Sequence, residues 1–204
     1  YGALMKSTAL GGSDGFNVGR PSLFGMSFTD PREADFMLYA ATVLLLAAFL
    51  VMAGQREQRL EILGFALSGL TGWTAIEYAL HRFVLHGLQP FQRWHEDHHQ
   101  RPTALICTPT ILSATLIGML VFLPALVLGN LWRACALTLG LLTGYLVYAV
   151  THHATHHWQA NNAWLKQRKR WHALHHHIDQ PVCFGVTSGV WDHIFGSTQR
   201  ATTP

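Results

Sequence analysis

Four long apolar runs restrict what this chain can fold into more than any other feature of its sequence. They cover residues 36–53, 62–80, 104–128 and 134–150. Each approaches the roughly 20 apolar residues that cross about 30 Å of hydrocarbon, and none shows the polar face of a helix in a soluble bundle. Only 12% of the residues are charged, whereas about 25% is usual in soluble domains. The pattern predicts an all-α integral membrane protein with four transmembrane helices.

The connections and charges predict how these helices are arranged. Short connections at 54–61 and 129–133 join the spans into two helical hairpins. Four crossings leave both termini and the 81–103 connection on one side, and the other side carries only Arg56, Arg59 and Arg133 of the 14 Lys and Arg residues. The positive-inside rule makes the richer side cytoplasmic. All 14 histidines lie there or at span ends facing it, which predicts a histidine-rich cytoplasmic helical cap.

A helix-start signature precedes the first span. Asp30 suits the N-cap, Pro31 the first helical position and Glu33 the third. The boundary divides the chain into a flexible or interfacial N-terminal segment, residues 1–30, and one membrane domain, residues 31–204. The net charge is only +3 and no basic block alternates with aromatic residues, so we expect no nucleic-acid partner.

The histidines follow spacings typical of metal ligands. Two HxxHH triplets occur, and on a helix their members share one face. Two pairs lie at span ends. The first, His81 and His86, is five residues apart, a turn of about 140° on an ideal α-helix, so the two serve different metals or the helix breaks between them. In the second group, His152 and His156 share a face, and so do His153 and His157; spacing leaves the choice open. The triplets are His95, His98 and His99, and His172, His175 and His176.

Clustered imidazoles on one membrane face predict a metal site. At four to six ligands per ion, ten or more histidines predict two ions. Imidazole suits zinc, copper, iron and nickel, so ligand type alone does not identify the metal. Glu77 lies one helical turn before His81, where it either orients that ring or only packs the helix.

The order HxxxxH, HxxHH, HxxxH, HxxHH with four spans resembles the fatty acid hydroxylase/sterol desaturase superfamily over residues 60–197. The segment 183–197, with Phe-Gly-Val-Thr-Ser and Trp-Asp-x-x-Phe-Gly, resembles its fatty acid 2-hydroxylase branch. The resemblance implies two metal ions, iron in the working enzyme with zinc possible after purification, and O₂-dependent hydroxylation of a fatty acyl chain. It also implies an external electron donor of the ferredoxin or cytochrome b5 type. The implied metal ligands are His81, His86, His95, His98, His99, His152, His156, His172, His175 and His176.

In the family a Tyr lies four residues before the first ligand of the second span-end pair, and Tyr148 matches that Tyr. The resemblance therefore implies His152 and His156 as ligands rather than His153 and His157. His177 and His193 then join His153 and His157 as additional histidines outside the ligand set. The short gap between His86 and His95 and the lack of an attached cytochrome b5-like domain resemble bacterial members. We therefore expect the bacterial inner membrane rather than the endoplasmic reticulum, with membrane lipids around the spans.

Three other functions remain open at this point. The same metals could hydroxylate a carotenoid ring or oxidise a sterol, although the Phe-Gly-Val-Thr-Ser segment favours the acyl branch. A metal transporter would carry its ligands at the bilayer midplane, whereas these histidines lie beyond the apolar runs. A structural zinc site is the third alternative.

Overall fold

The structure is a computed structural model that describes residues 31–102, 110–177 and 182–198. These ranges contain helices joined by irregular connections, in agreement with the all-α prediction. The predicted N-terminal segment, residues 1–30, lies outside the described residues, as does the first part of the third apolar run. The helices are α1 Pro31–Ala53, α2 Arg59–Ala79, α3 Phe91–Gln100, α4 Thr110–Ile117, α5 Leu123–Leu128, α6 Leu131–His157, α7 Ala163–His177 and α8 Val190–Ile194.

Three of the described helical stretches are long and apolar enough to cross a membrane, so this is a multi-pass membrane protein. They are Phe36–Ala53, Ile111–Leu128 and Leu131–His157. Large apolar side chains on them, such as Leu45 and Leu128, are exposed, and lipid rather than water suits such a surface. The predicted second span corresponds to α2, which is not among the three because Gly, Ser and Thr dilute its apolar residues.

Local chemistry explains where the spans begin and end. α1 begins at Pro31, as its N-terminal signature predicts. Asn130 caps α6, since its side chain accepts a hydrogen bond from Arg133 N at 2.9 Å. Because α6 begins at Leu131, the connection between the last two spans is residues 129–130, shorter than the predicted 129–133. α6 continues to His157, seven residues past the predicted end of the fourth apolar run, so the histidines of its last two turns extend the same rigid helix.

α2 and α6 pack closely and run parallel. A Cβ atom added to Gly69 would lie 2.2 Å from the Leu137 carbonyl oxygen, and one on Gly140 would lie 1.8 Å from the Ala66 oxygen. Such close backbone approach needs glycine, as is common where membrane helices associate. The exposed ion pair of Glu61 with Arg133 at 2.5 Å joins the starts of the two helices.

α1 packs against α6 in the antiparallel direction. The rings of Phe49 and Trp132 stack with centroids 5.2 Å apart near the start of α6. Tyr39 and Tyr145 meet edge to face at 4.9 Å nearer its end. The ends of α2 and α6 therefore lie together at one end of the bundle, and the histidine-bearing elements gather there.

Candidate metal centre

The ten histidines that the sequence singles out converge in two adjacent groups. Four of them offer nitrogen atoms that all lie within 4.8 Å of one another, and five others do the same beside them. The last of the ten, His99, contacts His86, His95 and His175 of the first four. The first histidine group is His81, His86, His95, His99 and His175; the second histidine group is His98, His152, His156, His172 and His176.

Nε2 atoms meet at short distances in the first histidine group. His81 Nε2 lies 3.0 Å from His95 Nε2, and His86 Nε2 lies 3.0 Å from His175 Nε2. His99 Nε2 lies 3.1 Å from the Nε2 atoms of both His95 and His175. The contacts join all five nitrogens into one set contributed by three separate parts of the chain.

Nε2 atoms also lie close together in the second histidine group. The Nε2 atoms of His152 and His98 are 3.1 Å apart, those of His172 and His156 are 2.8 Å apart, and those of His176 and His172 are 3.1 Å apart. Each HxxHH triplet divides between the two groups, so α3 and α7 both contribute to both. The groups are consequently held as one unit by the same two helices.

A π-helical turn at Leu80–Leu85 decides the arrangement of the first span-end pair. In such a turn residues five apart lie on one face, because the backbone hydrogen bonds run from i to i+5. His81 and His86 therefore meet, with ring centroids 5.4 Å apart, in the same group. The structure therefore places the two rings in one group, through a change from α-helix to π-helix where the sequence suggested a break in the helix.

The structure brings His152 and His156, rather than their neighbours, into the second histidine group. The His152 ring stacks on Tyr148, the residue that supplied the register. The rings of His153 and His157 stack on each other at 4.4 Å and lie outside both groups. His193 also lies outside the groups, with its ring 5.5 Å from that of Trp171.

The donor set fits metal ions. His81 Nδ1 lies 2.5 Å from the Phe184 carbonyl oxygen and His175 Nδ1 lies 2.8 Å from the Val182 oxygen. A carbonyl only accepts, so both Nδ1 atoms carry hydrogen and both Nε2 atoms present lone pairs. The His175 lone pair faces the Nε2 atoms of His86 and His99. A cation among these nitrogens removes the repulsion between lone pairs.

The spacing of the nitrogens bears on whether each group can share one ion. Nitrogens about 2.1 Å from an ion are about 3.0 Å apart at right angles and about 3.4 Å apart in a tetrahedron. The closest spacings in both groups, 2.8–3.1 Å, are near these values, so each group is compact enough to share one ion.

Burial keeps the imidazoles neutral, the form in which they bind metals. Loss of hydration lowers the pKa of His86 and of His98 to about 4, with the neighbouring His99 contributing to both shifts. The pKa values of His81 and His172 are well below their usual range, again mainly through burial. At neutral pH both groups therefore present nitrogen lone pairs rather than positive charge.

The loop that contains the Phe-Gly-Val-Thr-Ser motif orients two of the rings, a role that the sequence did not predict. Residues 182–187 supply the carbonyl groups that accept from His81 and His175. Within this loop Cys183 takes a φ of 57°, in the left-handed region. Such a conformation in a residue other than glycine costs free energy and is often kept at functional sites.

Two buried carboxylates hold this loop from opposite sides. Glu77 accepts hydrogen bonds from the backbone N–H groups of Val186 at 2.7 Å and Thr187 at 2.9 Å, and from the Thr187 hydroxyl. Glu77 therefore acts on the His81 ring through this loop, rather than by a hydrogen bond to the ring itself. Asp192, which is fully buried, accepts from Phe184 N and Gly185 N at 2.8 Å each. Asp192 belongs to the Trp-Asp-x-x-Phe-Gly motif, but the motif did not predict that it holds this loop.

Arg168, in the basic stretch 166–170, is buried rather than available on the surface. Its guanidinium carbon lies 4.7 Å from the centroid of the Trp171 ring. Burial lowers its pKa, and the nearby carboxylates of Asp192 and Glu77 oppose that change. Lys166 and Arg170 in the same stretch are exposed.

A cavity of about 620 Å³ opens between α1, α2, α4 and α6 and reaches both histidine groups. Its lining away from the histidines is largely apolar and aromatic, and we call it the proximal cavity. A volume of this size is typical of a ligand site. Among the residues that line it are Trp73, Leu116, Leu146, His81, His98 and His152.

Comparison with known proteins identifies the family. The family model described as fatty acid hydroxylase matches residues 66–197. The chain belongs to this fatty acid hydroxylase family. The expected superfamily is thereby confirmed, and the match spans all ten histidines and the loop with its two carboxylates.

Relatives of this hydroxylase-family chain carry related names. It is 34% identical to the dihydroceramide fatty acyl 2-hydroxylase FAH2 of Arabidopsis thaliana, over 63% of this chain and 58% of the relative. It is 32% identical to the ceramide very long chain fatty acid hydroxylase scs7 of Schizosaccharomyces pombe, over 65% of this chain and 42% of that protein. The chain thus spans about half the length of these relatives.

A solved structure has a similar fold. The hydroxylase domain of full-length scs7p superposes with a TM-score of 0.71 at 26% identity, covering 83% of this chain and 68% of that chain. The fatty acyl and ceramide names of the relatives favour the acyl branch over the carotenoid and sterol alternatives.

Proposed function

We propose that this chain is a membrane-bound monooxygenase that hydroxylates a fatty acyl chain at carbon 2 with O₂ and external electrons. The observation that carries the proposal is the convergence of ten neutral imidazoles, in two groups of five, at the inner end of an apolar cavity. Membership of the fatty acid hydroxylase family supports the same chemistry. The family resemblance favours iron as the working metal.

Each histidine group would hold one ion through Nε2 atoms of its five members. The bound ions supply the oxidising chemistry by activating O₂. The chain's own groups do the rest: Phe184 O and Val182 O keep the lone pairs of His81 and His175 aimed at their group. The apolar wall of the proximal cavity excludes water from the reacting carbon.

The substrate enters from the bilayer in this proposal. The proximal cavity lies among helices whose outer surfaces suit lipid, so an acyl chain can pass into it without crossing water. The polar headgroup would remain at the histidine end, where the exposed side chains include both charged and aromatic residues, such as Arg93 and Trp94. Aromatic residues such as Trp94, which line the mouth, suit an interface of this kind.

We further propose four spans with the histidine groups on the cytoplasmic face of a bacterial inner membrane. α2 runs parallel to the candidate span α6, from the Glu61–Arg133 ion pair to the histidine groups. A helix that follows a crossing helix over that depth crosses as well. Exposed Arg93, Lys166 and Arg170 on the histidine side suit an acidic ferredoxin-type or cytochrome b5-type electron donor.

The test is expression in a bacterium with lipid mass spectrometry and metal analysis. We expect 2-hydroxy acyl lipids to accumulate with the unchanged chain and two metal ions to be bound per chain. His175→Ala removes a buried member of the first group, so product formation should stop and the metal content should fall toward one ion. Hydroxylated carotenoids without 2-hydroxy acids would contradict the proposal.

A matched pair of variants tests the ligand assignment. His152→Ala should release metal from the second group, whereas His153→Ala, the adjacent residue on the same helix, should keep the metal content unchanged. Equal metal loss in both variants would reject the assignment, while the hydroxylase activity would be judged separately from the lipid products.

A further inference from the structure

A second apolar cavity, of about 440 Å³, lies farther from the histidines. α2 forms one wall of this distal cavity through Ser68, Gly69 and Gly72, and α4–α5 and α6 form the others. It extends along the bundle as far as Gly129 and Arg133, at the end opposite the histidine groups.

The proximal and distal cavities adjoin each other. Four residues line both: Ile76, Leu120, Val121 and Leu141. Leu120 and Val121 lie in the π-helical turn Gly118–Phe122, and such turns are frequent at functional sites. Four apolar residues therefore lie at the boundary between the two spaces.

The distal cavity offers little to a polar ligand. The Ser68 hydroxyl donates to the Gly64 carbonyl oxygen at 2.8 Å within its own helix. Arg133 pairs with Glu61 at 2.5 Å where the cavity ends. The remaining lining is glycine, proline, alanine and larger apolar residues, so the chemistry favours a hydrocarbon chain.

We propose that the distal cavity receives the methyl end of a long acyl chain whose carboxyl end lies at the histidine groups, and that the four shared residues make the enzyme select for chain length. This rests on the proposed function. At 1.5 Å per residue, α6 rises about 17 Å from Leu141 to His152 and about 12 Å more from Leu141 back to Arg133. Short chains end within the proximal cavity, whereas long chains gain additional apolar contact beyond Leu141.

Two glycines of α2 give a matched test. A Cβ atom at Gly72 or at Gly64 meets nothing within 4 Å, so leucine can be added at either without a backbone clash. Gly72 lines the distal cavity and Gly64 lines neither cavity. We expect Gly72→Leu to lower the ratio of tetracosanoyl to hexadecanoyl hydroxylation about tenfold, which corresponds to losing contact with about two methylenes. Gly64→Leu should leave that ratio unchanged.

Photocrosslinking of the metal-loaded protein without oxygen or reductant supplies a readout that does not depend on turnover. A tetracosanoyl probe with a terminal diazirine should label distal residues such as Pro124 and Leu137, and Gly72→Leu should reduce that labelling. The hexadecanoyl probe should not label them. Equal labelling by both probes, as expected of a bilayer lipid lying in the groove, would overturn the proposal.

The outcomes separate this inference from the proposed function. If no acyl chain is hydroxylated but the long probe labels the distal cavity selectively, the proposed reaction fails and the binding site stands. If acyl chains are hydroxylated and Gly72→Leu and Gly64→Leu have the same length profile, the distal cavity has no role in selection and the inference is wrong.

Discussion

At the scale of single residues, the arrangement depends on groups that are not metal ligands in our proposal. Glu77 and Asp192 hold the loop 182–187 through backbone N–H groups on its two sides. That loop aims the lone pairs of His81 and His175 through its carbonyl oxygens. Both rings belong to the first histidine group, so the two carboxylates act on one metal site more directly than on the other.

Glu77→Ala should weaken binding of one metal and not the other. The variant leaves two buried N–H groups and a hydroxyl without their acceptor, so the loop carbonyls lose their position. Loss of such outer support typically lowers metal affinity about 10–100-fold. Chelator-driven release should therefore become biphasic, with one phase faster than in the unchanged protein.

Two further variants identify Glu77 as a positioning residue. Glu77→Gln keeps an acceptor oxygen and should restore most of the lost affinity. Glu61→Ala removes a carboxylate from the start of the same helix, where its ion pair is exposed, and should leave both release phases unchanged. Identical release from Glu77→Ala and the unchanged protein would refute the role.

At the scale of secondary-structure elements, two features position the histidines: a π-helical turn and a set of helix glycines. The π-helical turn after α2 brings His81 and His86 into one group. Glycines let α2 and α6 approach until backbone meets backbone. These glycine contacts determine how α2 and α6 are aligned along their length. They therefore determine where the histidine-bearing ends meet, although the glycines lie far from the histidines.

Gly140→Ala should lower stability because the new methyl group would lie 1.8 Å from the Ala66 carbonyl oxygen, which cannot move without shifting α2. Overpacking of this kind costs about 1–3 kcal/mol. Thermal unfolding in detergent measures the change. Gly64→Ala places its methyl group in open space and should leave stability equal or higher, by up to about 1 kcal/mol. Equal melting temperatures for the two variants would contradict close packing of the helices.

At the scale of the whole molecule, histidines from 81–99 and from 152–176 meet at one end of the bundle. The chain between them must therefore cross the bilayer an even number of times, and the stretches Ile111–Leu128 and Leu131–His157 supply two crossings. The side on which α2 begins then decides between three spans and four, and so decides whether the histidines lie on the same side as the start of α1.

Labelling of single cysteines tests the proposed topology. With the native cysteines replaced by alanine, we expect a membrane-impermeant maleimide to label Gln55→Cys in intact cells. It should label Asn161→Cys only after permeabilisation. Both positions are exposed, so a lack of labelling reflects the membrane. Labelling of both from the same side would mean that α2 does not cross, and the four-span proposal would be rejected.

The sequence alone determined the all-α membrane class and the start of α1, because apolar run length and helix capping are local properties. The ten histidines that converge, and the family itself, came from the resemblance of its motifs to a known family, since helical spacing left the choice between His152/His156 and His153/His157 open. The sequence also left open whether His81 and His86 belong together, since the π-helical turn depends on how α2 ends against α3, α7 and the loop. It placed Glu77 beside His81 and Asp192 in the Trp-Asp-x-x-Phe-Gly motif without showing what either carboxylate holds. Their partners are backbone groups distant in sequence, and backbone groups leave no residue pattern. Only the tertiary structure, by bringing residue 77 to residue 187 and residue 192 to residue 184, decided how the first histidine group is held.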